Sequence, residues 1–85
     1  MSNARLPPVK DYSAIAKFAG SFNGYEHFGS FKACSEAAKA KSRDNLDAIR
    51  NELFFAYRAA NHTGDTNILL SAYEELLPLF ERYLI

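Results

Sequence analysis

The segment from Leu46 to Ala60 would carry apolar side chains around most of a helical circumference. At about 100° per residue, five of these side chains fall on one face of a helix: Leu46, Ile49, Leu53, Tyr57 and Ala60. Phe55 falls on nearly the opposite side, and Phe54 lies between the two faces. A helix that is apolar on more than one side is buried on more than one side. The pattern therefore predicts an aromatic-rich central helix in an all-α domain, or a helix whose second face meets another chain.

Two helices are predicted before this segment. The first runs from a cap at Asp11 or Ser13 to about Phe22, and Gly24 follows it. Its apolar residues recur at positions i, i+3, i+4 and i+7: Ile15, Phe18, Ala19 and Phe22. The second is an alanine-rich helix from a cap at Ser30 to about residue 41. Its short apolar stripe comprises Phe31, Cys34 and Ala38.

The ends of the last two helices are also indicated by the sequence. The third helix is expected to end at Gly64, after starting at one of the capping residues Ser42, Asp44 and Asn45. The fourth is predicted to run from Asp65 or Thr66 to the C-terminus. It carries a wide apolar band formed by Leu69, Leu70, Tyr73, Leu76, Leu77, Phe80, Tyr83 and Leu84. Pro78 lacks a backbone donor and clashes with the preceding turn, which predicts a kink or a break near Leu77.

The chain is long enough for one small domain. It has 85 residues, 48% of them hydrophobic and 24% charged, a composition typical of a globular protein rather than a disordered one. Pro7 and Pro8 favour extended backbone. We therefore expect residues 1–10 to form an extended tail and residues 11–85 to form a single helical domain of four helices.

Charge and cysteine content limit the classes of function. The formal net charge is zero, so no strong global field attracts nucleic acid or an anionic membrane. The charge is uneven: residues 1–50 carry a net +3 and residues 51–85 a net −3. The single cysteine rules out an internal disulfide framework. Because no apolar run approaches the about 18 residues that span a bilayer and no signal-peptide core is evident, we predict a cytoplasmic protein without a membrane partner.

The segment from Phe22 to Ser30 separates the first two helices, and a functional site is most expected in this loop. Tyr25, Glu26 and His27 offer a general acid, a carboxylate and an imidazole in succession. Adjacent side chains in a turn diverge, whereas acid–base catalysis needs them within about 3 Å of one target. An enzyme centred on these residues is therefore the third hypothesis. We expect a contact loop instead, with Asn23, Glu26 and His27 available for recognition.

No metal or cofactor site is predicted. The candidate donors include His27, His62 and Cys34, and their spacing matches no metal-binding pattern. Cys34 lies on the apolar stripe of the second helix, which indicates a small core residue rather than a nucleophile. His62 would lie near the end of the third helix, where an imidazolium favours the negative end of the helix dipole.

Residues 39–43 form a basic cluster containing Lys39, Lys41 and Arg43. Together with the helices on either side they loosely imitate helix-turn-helix order, so nucleic-acid binding is the alternative hypothesis. However, the would-be recognition helix opens with Asp44 and Asp47, which phosphates repel. Nucleic acid is therefore an unfavoured partner.

The preferred hypothesis is a non-catalytic protein-interaction module. It would bind itself as a homodimer, or bind and modulate a larger cytoplasmic protein. This hypothesis rests on the doubly apolar third helix, the apolar band of the fourth and the small core of an 85-residue chain. The candidate contact residues are Asn23, Glu26, His27, Phe54, Phe55, Leu70 and Leu77.

Overall fold

The computed structural model describes residues 6–22, 30–40 and 43–84, apart from the side chains of Phe31, Cys34 and Leu84. Four helices lie in these ranges: α1 (Tyr12–Gly20), α2 (Phe31–Ala40), α3 (Leu46–Thr63) and α4 (Thr66–Leu84). The described ranges contain no strand. The predicted all-α fold with four helices is confirmed.

Local side-chain caps determine where the helices start. In each case a side-chain oxygen accepts a hydrogen bond from a backbone N–H two or three residues later: Asp11 from Ala14, Ser30 from Ala33, Asn45 from Ala48 and Asp65 from Asn67. These four residues are among the caps that the sequence predicts. Gly64 ends α3 with a φ of 79°, a left-handed conformation that favours glycine. The helix α1 ends at Gly20, two residues earlier than the predicted end near Phe22.

The helix α3 is the centre of the bundle. It packs against α1, α2 and α4, and its contact with α4 is the most extensive. Within the described part of the chain, α2 packs on α3 alone, whereas α1 also contacts α4. The prediction of a central third helix, based on its apolar groups on more than one face, is therefore confirmed.

The core lies between α1, α3 and α4. Seven of its side chains are fully buried: Ile15, Ile49, Leu53, Leu69, Tyr73, Leu76 and Phe80. Aromatic rings join α1 to α4, because the Phe18 ring packs edge-on at 5.3 Å from Phe80 and 6.2 Å from Tyr73. Polar Asn51 is also buried, at 3% exposure. No buried side-chain nitrogen or oxygen among the described residues lacks a hydrogen-bond partner.

The helix α4 continues through Pro78. The structure describes one helix from residue 66 to residue 84 with this proline inside it. A break near Leu77 is therefore not present, and the kink at Pro78 stays a prediction.

The described part of the N-terminal segment packs on the bundle. Residues 6–10 contain no helix, yet Leu6 and Val9 pack against the core. The backbone N–H of Asp11 donates to the carbonyl oxygen of Pro8 at 3.0 Å, which forms a turn just before α1. The sequence places residues 1–10 outside the helical domain as an extended tail. Residues 6–10 instead belong to its packed structure.

Candidate contact surface formed by the N-terminal segment, α1 and α4

The predicted contact loop lies outside the described residues. Asn23, Glu26 and His27 fall there, and so does Tyr25. The contact-loop and enzyme hypotheses for this segment therefore stay predictions.

The two predicted contact residues on α3 differ in exposure. Phe54 is buried, at 7% exposure, and its ring centroid lies 6.3 Å from that of Tyr57. Phe55 is half-buried. Phe54 thus contributes to packing within the chain and is not available on its surface, whereas part of Phe55 is.

The two predicted contact residues on α4 lie at the edge of the core. Leu70 and Leu77 are half-buried and pack against the fully buried side chains. They are seven residues apart, so they lie on the same side of the helix. Exposed Glu74 and Glu81 follow each leucine by four residues, on the same flank. This flank of α4 therefore alternates half-buried leucines with exposed carboxylates.

An apolar groove lies between the N-terminal segment and α1. Its volume is about 410 Å³. Leu6, Pro7 and Pro8 line one side, and Ala14, Lys17 and Phe18 line the other. Lys17 is the charged residue of this lining, and it is exposed. Such a groove suits an apolar side chain whose neighbour carries a negative charge.

Tyr73 connects the groove to α4. Its hydroxyl donates a hydrogen bond of 2.5 Å to the carbonyl oxygen of Pro7, one of the residues lining the groove. Burial raises the pKa of Tyr73 to about 12, and the negative charge of nearby Glu81 raises it further in the same direction. This hydrogen bond joins α4 to one side of the groove, and the Phe18 ring joins α4 to the other through Phe80. We consider the groove together with the acidic flank of α4 and call them the α1–α4 surface: residues 6–8, Ala14, Lys17, Phe18, Leu70, Glu74, Leu77 and Glu81.

A second polar feature holds the start of α3 against α4. The Arg43 guanidinium donates to both carboxylate oxygens of Glu52, at 3.1 and 2.8 Å, and to Glu75 at 2.7 Å. The Tyr83 hydroxyl donates to the backbone carbonyl of Asp44 at 3.0 Å. The hydrogen bonds to Glu52 and then Glu75 raise the pKa of Arg43, and burial opposes them. Arg43 is therefore held by carboxylates of its own chain.

Sequence reasoning missed this cluster. Arg43 is 9 residues from Glu52 and 32 from Glu75, and neither separation matches a helical neighbour spacing. To predict these contacts one would need to know how the connection before α3 is placed relative to α4. No signal in the sequence gives this relative placement.

The described residues offer no metal site. Among them, no three or more His, Cys, Asp or Glu side chains are grouped to hold an ion. His62 lies exposed in the last turn of α3, as the sequence predicts, whereas His27 and the Cys34 side chain lie outside the description. No helix in the described ranges combines the length and apolar character needed to cross a membrane.

Comparison of the chain with protein-family models, curated proteins and solved structures gave no match.

Proposed function

We propose that this chain is a non-catalytic protein-interaction module that binds a protein through the α1–α4 surface. The observation that carries the proposal is the combination of a half-buried leucine pair on α4, Leu70 and Leu77, with an apolar groove of about 410 Å³ between the N-terminal segment and α1. A partner that covers both removes apolar area from water. Removing this area from water contributes roughly 25 cal/mol to the free energy of binding for each Å² of apolar surface covered.

The composition of this surface resembles that of an interface. Apolar residues such as Leu6, Pro7 and Phe18 line the groove, with exposed Lys17 in the same lining, and α4 carries exposed carboxylates. Protein interfaces commonly combine an apolar core with a polar rim, and the rim charges orient the partner. Lys17 on the groove side and the carboxylates Glu74 and Glu81 on the α4 side supply such a rim.

The alternative hypothesis of nucleic-acid binding through residues 39–43 has less support. Arg43 would be a phosphate contact in that hypothesis, and its guanidinium is already bonded to Glu52 and Glu75. Releasing it for a phosphate would leave the carboxylate of Glu52 without this partner, in a side chain that is 12% exposed. Lys41 lies outside the described residues. Of the described part of this cluster, exposed Lys39 adds one ammonium group, a small part of the phosphate contacts that binding needs.

The proposal is tested by capture of partners on the immobilised full chain, scored by quantitative mass spectrometry and accompanied by light scattering for self-association. The double variant Leu70→Ser, Leu77→Ser is expected to lose the captured protein or the self-association while its circular dichroism stays helical. The matched control is the double variant Ile68→Ser, Leu79→Ser. It changes two half-buried residues on the other flank of α4 and should keep binding. Equal capture by all three proteins, or no association of any kind, would contradict the proposal.

A further inference from the structure

The N-terminal side of the groove offers a ligand no backbone donor at its two prolines, because neither Pro7 nor Pro8 has a backbone N–H. Their carbonyl oxygens already accept hydrogen bonds within the chain. The Tyr73 hydroxyl donates to Pro7, and the N–H of Asp11 donates to Pro8. A peptide that binds by adding a strand needs a row of free backbone donors and acceptors. This side of the groove therefore recognises a partner by apolar contact.

The α1 side of the groove presents one charged side chain. Ala14, Lys17 and Phe18 lie inside the helix, where backbone groups bond within the helix, and the N–H of Ala14 is capped by the carboxylate of Asp11. The side chains of Ala14 and Phe18 are apolar. Lys17 is exposed, and none of the ion pairs among the described residues involves it. Its ammonium group, which has three donors and no acceptor, is therefore the polar side chain that the lining offers to a ligand.

A ligand that satisfies this lining combines an apolar group with a negative charge. The groove volume of about 410 Å³ lies within the range of sites that enclose ligand groups, so it has room for a large apolar side chain. A carboxylate beside that side chain would accept from Lys17, whereas a cation would be repelled. The exposed carboxylates Glu74 and Glu81 of α4 lie outside the lining and disfavour a segment that is acidic throughout. The fitting segment therefore has an acidic residue next to an apolar one rather than a run of acidic residues.

We propose that the partner of the α1–α4 surface is a protein that presents a segment in which an apolar residue is adjacent to Asp or Glu. The apolar side chain fills the groove between residues 6–8 and α1, and the carboxylate pairs with Lys17. Lys17 is thus the residue that determines which segments bind. This inference rests on the proposed protein-binding function and names the chemistry of the partner.

The test is selection from a phage-displayed library of random short peptides on the immobilised full chain. The wild type is expected to enrich peptides with an apolar residue next to Asp or Glu. A synthetic peptide of the enriched sequence should bind in fluorescence polarisation, more weakly as salt is added. Lys17→Glu should raise the dissociation constant of that peptide roughly tenfold, because an attraction becomes a repulsion. In its own selection this variant should enrich Lys or Arg in place of the acidic residue, and Lys17→Arg should keep the wild-type preference.

A matched variant on α2 controls for the change in net charge. Lys39→Glu makes the same chemical change at an exposed position. Within the described chain α2 packs on α3 alone, away from α1 and α4. This variant should bind the peptide as the wild type does.

A second pair of variants tests the groove without changing charge. Ala14→Leu places a larger side chain in the lining and should weaken peptide binding roughly tenfold or more, because it occupies the space that the apolar side chain needs. Ser13→Leu adds the same side chain at the neighbouring exposed position, which is not part of the lining, and should leave binding unchanged. Circular dichroism of every variant should show an unchanged helix content.

The outcomes separate this inference from the function on which it rests. Lys17→Glu that still selects acidic peptides would overturn the inference, and so would Ala14→Leu that binds as the wild type does. A wild-type chain that selects no such peptide also overturns it, whether that chain associates with itself or binds a small carboxylate such as octanoate instead. If a captured protein is lost by the Leu70→Ser, Leu77→Ser variant but kept by Lys17→Glu, the proposed function stands without this inference. If neither variant loses it, both proposals fail.

Discussion

The Tyr73 hydroxyl on α4 donates a hydrogen bond to the carbonyl oxygen of Pro7, 66 residues earlier in the chain. The Tyr73 residue is fully buried. The bond joins the N-terminal segment to the core and fixes the side of the groove that Leu6, Pro7 and Pro8 form. The shape of the α1–α4 surface therefore depends on a contact between two distant parts of the chain.

Tyr73→Phe should destabilise the fold by about 1–2 kcal/mol, because the Pro7 carbonyl loses its partner while the ring still fills the core. Urea denaturation followed by circular dichroism measures the change. Tyr12→Phe is the control, since Tyr12 is half-buried and makes no side-chain hydrogen bond within the described residues. It should change the free energy of unfolding by less than about 0.5 kcal/mol. Equal effects of the two substitutions would show that the hydrogen bond contributes nothing.

The free energy of unfolding should fall in alkali because of Tyr73. Burial, together with the charge of Glu81, raises the pKa of its phenol from 10.0 to about 12 in the folded chain. Above the lower value the unfolded chain loses this proton while the folded chain keeps it, so stability falls as the pH rises from about 10 to about 12. A shift of this size corresponds to a loss of about 2–3 kcal/mol above that range.

Urea titrations at a series of alkaline pH values measure this dependence. Tyr73→Phe removes the titrating group, so the difference between the variant and the wild type should shrink as the pH rises through this window. A difference that is constant with pH would contradict the assigned pKa of Tyr73.

Gly20→Val should destabilise the contact between α1 and α3. A Cβ atom at Gly20 would lie 3.0 Å from the Cζ atom of the Tyr57 ring, closer than ordinary van der Waals contact. Forcing the ring aside costs about 1–3 kcal/mol. In a Tyr57→Leu background the same substitution should cost clearly less, because the smaller side chain leaves room. A double-mutant cycle by urea denaturation measures the coupling, and purely additive effects would contradict the close approach.

Arg43→Met should destabilise the fold by about 1–2 kcal/mol, because Glu52 and Glu75 lose a shared partner and Glu52 is largely buried. The methionine keeps most of the apolar length of the side chain. Arg82→Met is the control: Arg82 is exposed in the last turn of α4, and its loss should cost less than about 0.5 kcal/mol. If thermal or urea denaturation shows the same loss of stability for both variants, the role assigned to the Arg43 cluster is contradicted.

The helices could be predicted from the sequence because their determinants are local. A capping oxygen at Asn45 bonds to the N–H of Ala48, and a glycine at residue 64 adopts the left-handed conformation that ends α3. The apolar period of 3.6 residues also predicts which face of each helix is buried. These features depend on residues three or four positions apart, so they can be predicted from the order of the residues alone.

The candidate surface was predicted only in part. Leu70 and Leu77 were identified from their place in the apolar band of α4, and the structure leaves both partly exposed. Phe54 was predicted as a contact residue as well, but it is buried, since α3 packs against neighbours on several sides. A helical period gives the direction of a side chain and does not say whether another helix covers it.

The order of the residues is therefore enough to predict the four helices, most of their ends and the central position of α3. Three features appear only once the helices are packed: Pro7 meets Tyr73, Arg43 lies between Glu52 and Glu75, and Lys17 of α1 lines a groove together with residues 6–8. The difference follows from the range of the interactions. Caps and helical periods act within one turn of backbone, whereas these contacts depend on the packing of whole helices, which many side chains determine together.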